Sequence, residues 1–269
     1  MRTSIVRMVV IVVFSGSAAA LAHEDVVPYG FGGKILTGGH DDVLATDNVS
    51  QQVFGYDFGE DPGDPYIIGD PGFNNGAFGI GVYPNNGLLP VNFTLGFDVV
   101  SNLQYWDGLG GVSFAAAPAD VLLGLRRSSS TVLIDGAGGQ SGTVPTIGST
   151  GAAGRLHVHL ESQLHFTDAT DPTAPNAPEG IYLVGLQLKL PGSGLADSDP
   201  IYFVYNNGLD EEVHDEAIDW VQVNLVPEPG AWLLALSGVG GLALIARRRR
   251  EVHPRGVHRR GVPRCPVRA

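Results

Sequence analysis

Between Gly154 and Thr167 the chain alternates strictly in polarity. Arg155, His157, His159, Glu161, Gln163, His165 and Thr167 share one parity, and Leu156, Val158, Leu160, Ser162, Leu164 and Phe166 share the other. Successive side chains on a strand point to opposite faces, so the run predicts a half-buried antiparallel strand over residues 155–167. Its apolar face is broken only by Ser162. Similar short alternating or β-rich runs predict strands near residues 34–37, 52–58, 78–83, 91–100, 112–115, 121–125, 131–135, 181–190, 201–205 and 217–224. Turn clusters separate them: Asp61-Pro62-Gly63-Asp64-Pro65, Asp70-Pro71-Gly72, Pro84-Asn85-Asn86-Gly87, Pro191-Gly192-Ser193-Gly194 and Asn206-Asn207-Gly208. No amphipathic helical run exceeds a turn or two. The Gly/Ser/Thr-rich stretch 136–154 reads as a loop, or as a linker between two smaller β domains. The pattern predicts an all-β ectodomain, an antiparallel β-sandwich or jelly roll.

The two ends of the chain follow a different pattern. Arg2 and Arg7 precede the apolar run 8–14, and small residues lead to Ala20-Leu21-Ala22. This predicts a secretory signal peptide over residues 1–22, with His23 as the new N-terminus. Residues 230–246 are apolar and small, and as a helix they span about 25 Å, enough for a thin bilayer core. Arg247, Arg248, Arg249 and Arg250 follow directly, which places the tail inside and the preceding domain outside. The division expected is a signal peptide at 1–22, an extracytoplasmic domain at 23–225, a terminal signal with its transmembrane helix at 226–250, and a basic tail at 251–269.

Charge reinforces that division. The chain carries −12 overall, but residues 23–226 hold 26 Asp and Glu against five Lys and Arg, a net of −21. Such a surface repels nucleic acid and anionic membranes and attracts cations, and it also keeps an exported domain soluble. The single cysteine, Cys265, lies beyond the apolar segment. The ectodomain therefore has neither disulfides nor thiolate ligands, and a metal site in it must use His, Asp and Glu.

Pro227, Glu228 and Pro229, then the Gly-rich apolar helix, then the arginine cluster, resemble the PEP-CTERM sorting domain. The resemblance implies export, recognition and cleavage by an exosortase, and a final location at the cell surface or in exopolysaccharide. The two prolines keep the motif extended and unpaired, as a peptide entering an enzyme groove must be. Members of that family normally end close to the basic cluster, whereas residues 251–269 add a basic, Pro-rich tail expected to be disordered. A plain single-pass anchor satisfies the same membrane physics. Several ectodomain segments also resemble a group of bacterial surface-anchored proteins, some of them linked to zinc-regulated genes. These are Thr37-Gly38-Gly39-His40-Asp41-Asp42, Phe54-Gly55-Tyr56-Asp57-Phe58-Gly59-Glu60, Asp70-Pro71-Gly72-Phe73-Asn74, Tyr105-Trp106-Asp107-Gly108, Leu156-His157-Val158-His159 and Asn206-Asn207-Gly208.

Candidate chemistry centres on histidine. His157 and His159 point the same way about 6–7 Å apart along a strand, a spacing from which two imidazoles can hold one ion. His40, in a Gly-Gly-His-Asp-Asp turn, and His214, in an acidic run, are expected to complete the site, with Asp41 or Asp42 ligating or orienting His40. His165 stands about 20 Å along a continuous strand and is set aside unless the chain turns near Glu161. Nitrogen and oxygen donors suit zinc, or copper. His23 offers copper an amine and an imidazole. Asp57, Glu60, Asp61, Asp64 and Asp70 crowd two loops and could take calcium. Tyr105 and Trp106 could stack on a sugar. Each of these histidines and acids also has the ordinary reading of a hydrogen-bonded surface group. No Gly-x-Ser-x-Gly, His-Glu-x-x-His or phosphate loop occurs, so no enzyme is expected. Three functions follow: a non-enzymatic surface protein binding a divalent metal, a matrix or adhesion protein binding exopolysaccharide without metal, and a secreted polysaccharide hydrolase.

Overall fold

The stretch 180–190 is apolar at both parities as far as Leu186, a pattern that a strand can bury only when both of its faces are covered. In the computed structural model, which describes residues 24–41, 46–59, 63–76, 82–142, 146–166 and 177–227, it is the central strand of the largest sheet. In chain order the strands are β1 (Glu24–Phe31), β2 (Lys34–Asp41), β3 (Thr46–Asn48), β4 (Val53–Phe58), β5 (Ile67–Ile68), β6 (Gly72–Asn74), β7 (Thr94–Val99), β8 (Gln104–Trp106) and β9 (Ala115–Ala116). They continue with β10 (Val121–Arg127), β11 (Ser130–Asp135), β12 (Gln140–Gly142), β13 (Thr146–Ser149), β14 (His157–His159), β15 (Glu161–Phe166), β16 (Gly180–Lys189) and β17 (Pro200–Asn207). A single α-helix, α1 (Glu211–Asn224), ends the described chain.

The strands form three sheets. The first runs β14-β6-β1-β2-β3, the second β12-β11-β10-β15-β5, and the third β13-β7-β16-β17-β4, with β8 and β9 attached beside β16. One apolar core draws on all three, including Val26 and Phe73 of the first, Leu123 and Ile134 of the second, and Phe97, Val184 and Phe203 of the third. The two parities of β16 serve two cores. Tyr182, Val184, Leu186 and Leu188 enter the shared core, while Ile181 and Leu183 join Val53, Trp106 and Val204 beneath Ala217 and Val221 of α1. The helix therefore supplies the second cover that the apolar pattern of β16 requires.

The described residues are mostly strand, in keeping with an all-β class. The sheets are not wholly antiparallel, since β1 pairs β6 and β4 pairs β17 in parallel. Residues 217–224, expected as a strand, belong to α1. His214, Ala217 and Val221 recur at helical spacing on the buried side, Asp210 at the N-cap has an extended backbone, and Glu211 and Glu212 occupy the first turn. The stretch 136–154 contributes β12 to the second sheet and β13 to the third rather than forming one loop. The expected strand at 112–115 shrinks to Ala115–Ala116, and Val82 and Tyr83 lie in a turn.

The predicted strand over 155–167 is two strands. β14 pairs Asn74–Gly72 in the first sheet, and β15 pairs Val121–Arg126 in the second. The switch falls at Leu160, which is fully buried and donates its N–H to the Pro71 carbonyl at 3.0 Å. The alternation survives it, because Leu156, Leu160, Ser162 and Leu164 are all buried. Ser162, the polar exception, bonds the Asp70 carbonyl at 2.6 Å and the Tyr205 hydroxyl at 2.8 Å.

Packing divides the chain into Met1–Val226 and Pro227–Ala269, and of the second unit only Pro227 is described. The signal peptide, His23, Glu228, Pro229, the apolar segment 230–246, Arg247 to Arg250 and the tail lie outside the described residues. Among the described residues no helix is long and apolar enough to cross a membrane.

Candidate metal centre

Register alone assembles a polar face on the first sheet. Across its strands His157 pairs Asn74, His159 pairs Gly72, Asp25 pairs His40, and His40 pairs Asp47. Val26 pairs Phe73 in the shared core, so the residues flanking each of them point to the opposite side. His157, His159, Asn74, Gly72, Asp25, His40 and Asp47 thus share the outer face.

At the β14 edge the two imidazoles converge. Their Nε2 atoms lie 3.2 Å apart, with ring centroids 5.2 Å apart and planes inclined at 48°. The other nitrogen of His159, Nδ1, faces the Gly69 carbonyl at 3.2 Å and Asp70 Oδ1 at 3.3 Å. A carbonyl only accepts, so Nδ1 carries the proton and Nε2 of neutral His159 keeps its lone pair. Two nitrogens each 2.0–2.1 Å from a tetrahedral ion stand about 3.3 Å apart. The observed separation is close to that value.

Two carboxylates stand beside His159. Asp25, Asp70 and His159 each present a ligand atom within 4.8 Å of the other two. Asp25 is buried, and Asn74 Nδ2 donates to its Oδ2 at 3.0 Å. Asp70 is held through its backbone, whose carbonyl takes the Ser162 hydroxyl. The space between Asp25 and His159 exists because residue 72 is glycine. A Cβ there would collide with the Asp25 carboxylate and lie 3.0 Å from His159 Cε1.

His40 and His214 do not share this site. β6 and β1 separate β2 from β14, a distance of about 14 Å at ordinary strand spacing. His40 is buried and its Nδ1 pairs with Asp47 Oδ1 at 2.9 Å. Asp42 lies outside the described residues. His214 packs on the far face of the third sheet, with Nε2 3.0 Å from the Val204 carbonyl and Nδ1 3.4 Å from Asp57 Oδ1. Burial lowers its pKa, but the adjacent Asp57 carboxylate, the Val204 carbonyl and Glu211 outweigh burial and leave it raised. Glu211 is raised as well, by burial and then by Asp57. His165 sits in β15, in the second sheet.

Of the acids considered for calcium, Asp57 and Asp70 have different partners. Asp57 turns to Asn206 and His214, Asp70 turns to His159, and Glu60 and Asp61 lie outside the described residues. Trp106 is buried in the core beneath α1, and the Tyr105 hydroxyl bonds the Glu179 carbonyl. Asp25, missed in the sequence, had one available signal: an acid at the outward parity where an apolar run begins, Glu24-Asp25-Val26-Val27.

The PEP-CTERM protein-sorting motif family matches residues 225–250. The match implies an exported protein, membrane-anchored before processing by an exosortase. Comparison with curated proteins and with solved structures gives no match.

Proposed function

We propose that this protein is a non-enzymatic, surface-displayed β protein that captures a divalent transition metal, zinc foremost, on the outer face of its first sheet. His157 and His159 bind through Nε2, Asp25 supplies an oxygen ligand, and Asp70 with the Gly69 carbonyl fixes the tautomer and orientation of His159. The observation that carries this reading is the 3.2 Å approach of the two Nε2 atoms while Nδ1 of His159 is held from behind. The acidity of the exported domain draws cations towards it. Exopolysaccharide is the surrounding in which such a protein would be retained after sorting.

Calorimetric titration of the full chain with Zn²⁺ and Cu²⁺ tests the reading. Binding that is undisturbed when His157 and His159 are removed, or no binding, overturns it. Asp70→Asn keeps the shape of the side chain but removes the charge that orients His159. Zinc affinity should fall about 10–100-fold, the usual cost of losing a ligand's supporting partner. An unchanged dissociation constant would show that Asp70 plays no part.

A further inference from the structure

The third sheet carries a second arrangement of ligand atoms, remote from the histidine pair. Asp57, Glu211 and His214 each offer one atom within 4.8 Å of the others. They come from separate elements: Asp57 from the end of β4, Glu211 from the first turn of α1, and His214 one turn further along. The imidazole is 2% exposed. Gly55 lets α1 settle this close to β4, because a Cβ there would press on His214 Cε1 at 3.1 Å and meet Ile218 Cδ1 at 2.6 Å.

The hydrogen bonding of His214 leaves one nitrogen without a hydrogen-bond partner. Val204's carbonyl can only accept, so Nε2 carries the proton that bonds it at 3.0 Å. Nδ1 is buried and aimed at the Asp57 carboxylate 3.4 Å away, too misaligned for a hydrogen bond, and in the neutral ring that a metal requires it is a lone pair. A lone pair facing a carboxylate in a buried setting repels it unless a proton or a metal cation lies between them. Bonds of about 2.0–2.2 Å from one tetrahedral ion place a histidine nitrogen and a carboxylate oxygen about 3.4 Å apart. The Val204 carbonyl meanwhile performs the orienting role that ligating histidines require. Asn206 holds Asp57 in place by donating Nδ2 to Oδ1 at 2.8 Å and closes the turn into the helix by accepting the Leu209 N–H at 3.0 Å.

We infer that Asp57, Glu211 and His214 form a second divalent-metal site, of zinc type with one nitrogen and two oxygen ligands, which clamps the first turn of α1 to the edge strand β4. Water completes the coordination on the exposed Glu211 side. The site is independent of His157 and His159, so it stands or falls separately from the proposed function.

The test uses the full chain carrying His157→Ala and His159→Ala, titrated with Zn²⁺ and with Co²⁺, whose visible absorption reports its ligands. One equivalent of metal should bind and raise the melting temperature. Asp57→Asn, which keeps the acceptor for Asn206, should abolish that equivalent. Glu211→Gln, at an exposed position, should weaken it by at least about tenfold, since a direct ligand costs no less than a supporting one. No bound equivalent in the double-alanine background overturns the site and leaves a protonated His214 beside Asp57 as the structural role of the pair. An equivalent that both acid variants retain overturns it too.

Discussion

Replacing His157 and His159 together with alanine should lower zinc affinity at the outer face of the first sheet by about 10³-fold or more, with almost no change in the melting temperature of the metal-free protein. The two effects separate because both imidazoles are exposed. Surface substitutions of that kind usually stay within about 0.5 kcal/mol. Affinity has no such protection. Structural zinc sites with four ligands are worth about 10–16 kcal/mol, so each nitrogen carries roughly 3 kcal/mol, and losing two costs several factors of ten. Calorimetry in metal-free buffer measures the first effect and thermal unfolding with a chelator the second. Chelation should lower the melting temperature of zinc-loaded wild type, because a ligand bound only to the folded state stabilises it by mass action. In a chain that also carries Asp57→Asn, the double-alanine variant should be nearly insensitive to the chelator. A double variant that unfolds without metal would mean that the two imidazoles support β14 rather than a ligand.

The histidine pair was legible in the sequence because period two is a local property: His157 and His159 need only the pleat of their own strand to point the same way. Their partners were not legible. Asp25 and Asp70 reach them through β1 and β6, and β6 is three residues long, too short to alternate visibly. Asp70 read as part of an Asp-Pro-Gly turn, and nothing in that tripeptide announces a parallel pairing with β1. The expectation that His40 and His214 would join the pair failed for the same physical reason. Strand order, set by long-range packing, inserts two strands between β2 and β14 and sends His214 to the opposite side of the third sheet. The helix was misjudged because Ile218, Trp220 and Val223 are good strand residues. Tertiary cover decided the matter, since Ile181, Leu183 and Val204 needed an apolar surface above them.

Phe203→Ala should destabilise the domain by about 3–5 kcal/mol, far more than the loss of either exposed imidazole. Its ring is fully buried and meets Phe54 at 5.9 Å, Tyr56 at 5.8 Å, Tyr205 at 6.3 Å and Phe73 at 6.4 Å between centroids. Three of those rings belong to the third sheet, but Phe73 is the middle residue of β6 in the first. Phe203 is therefore one contact through which the core of the largest sheet supports the strand carrying Gly72 and Asn74. At about 2–4 °C per kcal/mol for a domain of this size, the melting temperature should fall roughly 6–20 °C. Phe203→Leu, which keeps much of the volume, should recover a large part of the loss. Zinc affinity, measured well below the transition, offers the sharper reading. If β6 is held from beneath by Phe203, the alanine variant should bind zinc more weakly although no ligand has changed, because Asn74 and Gly72 shape the position of Asp25. A loss of stability with wild-type zinc affinity would mean that the outer face is fixed by the pairing of β1, β6 and β14 alone.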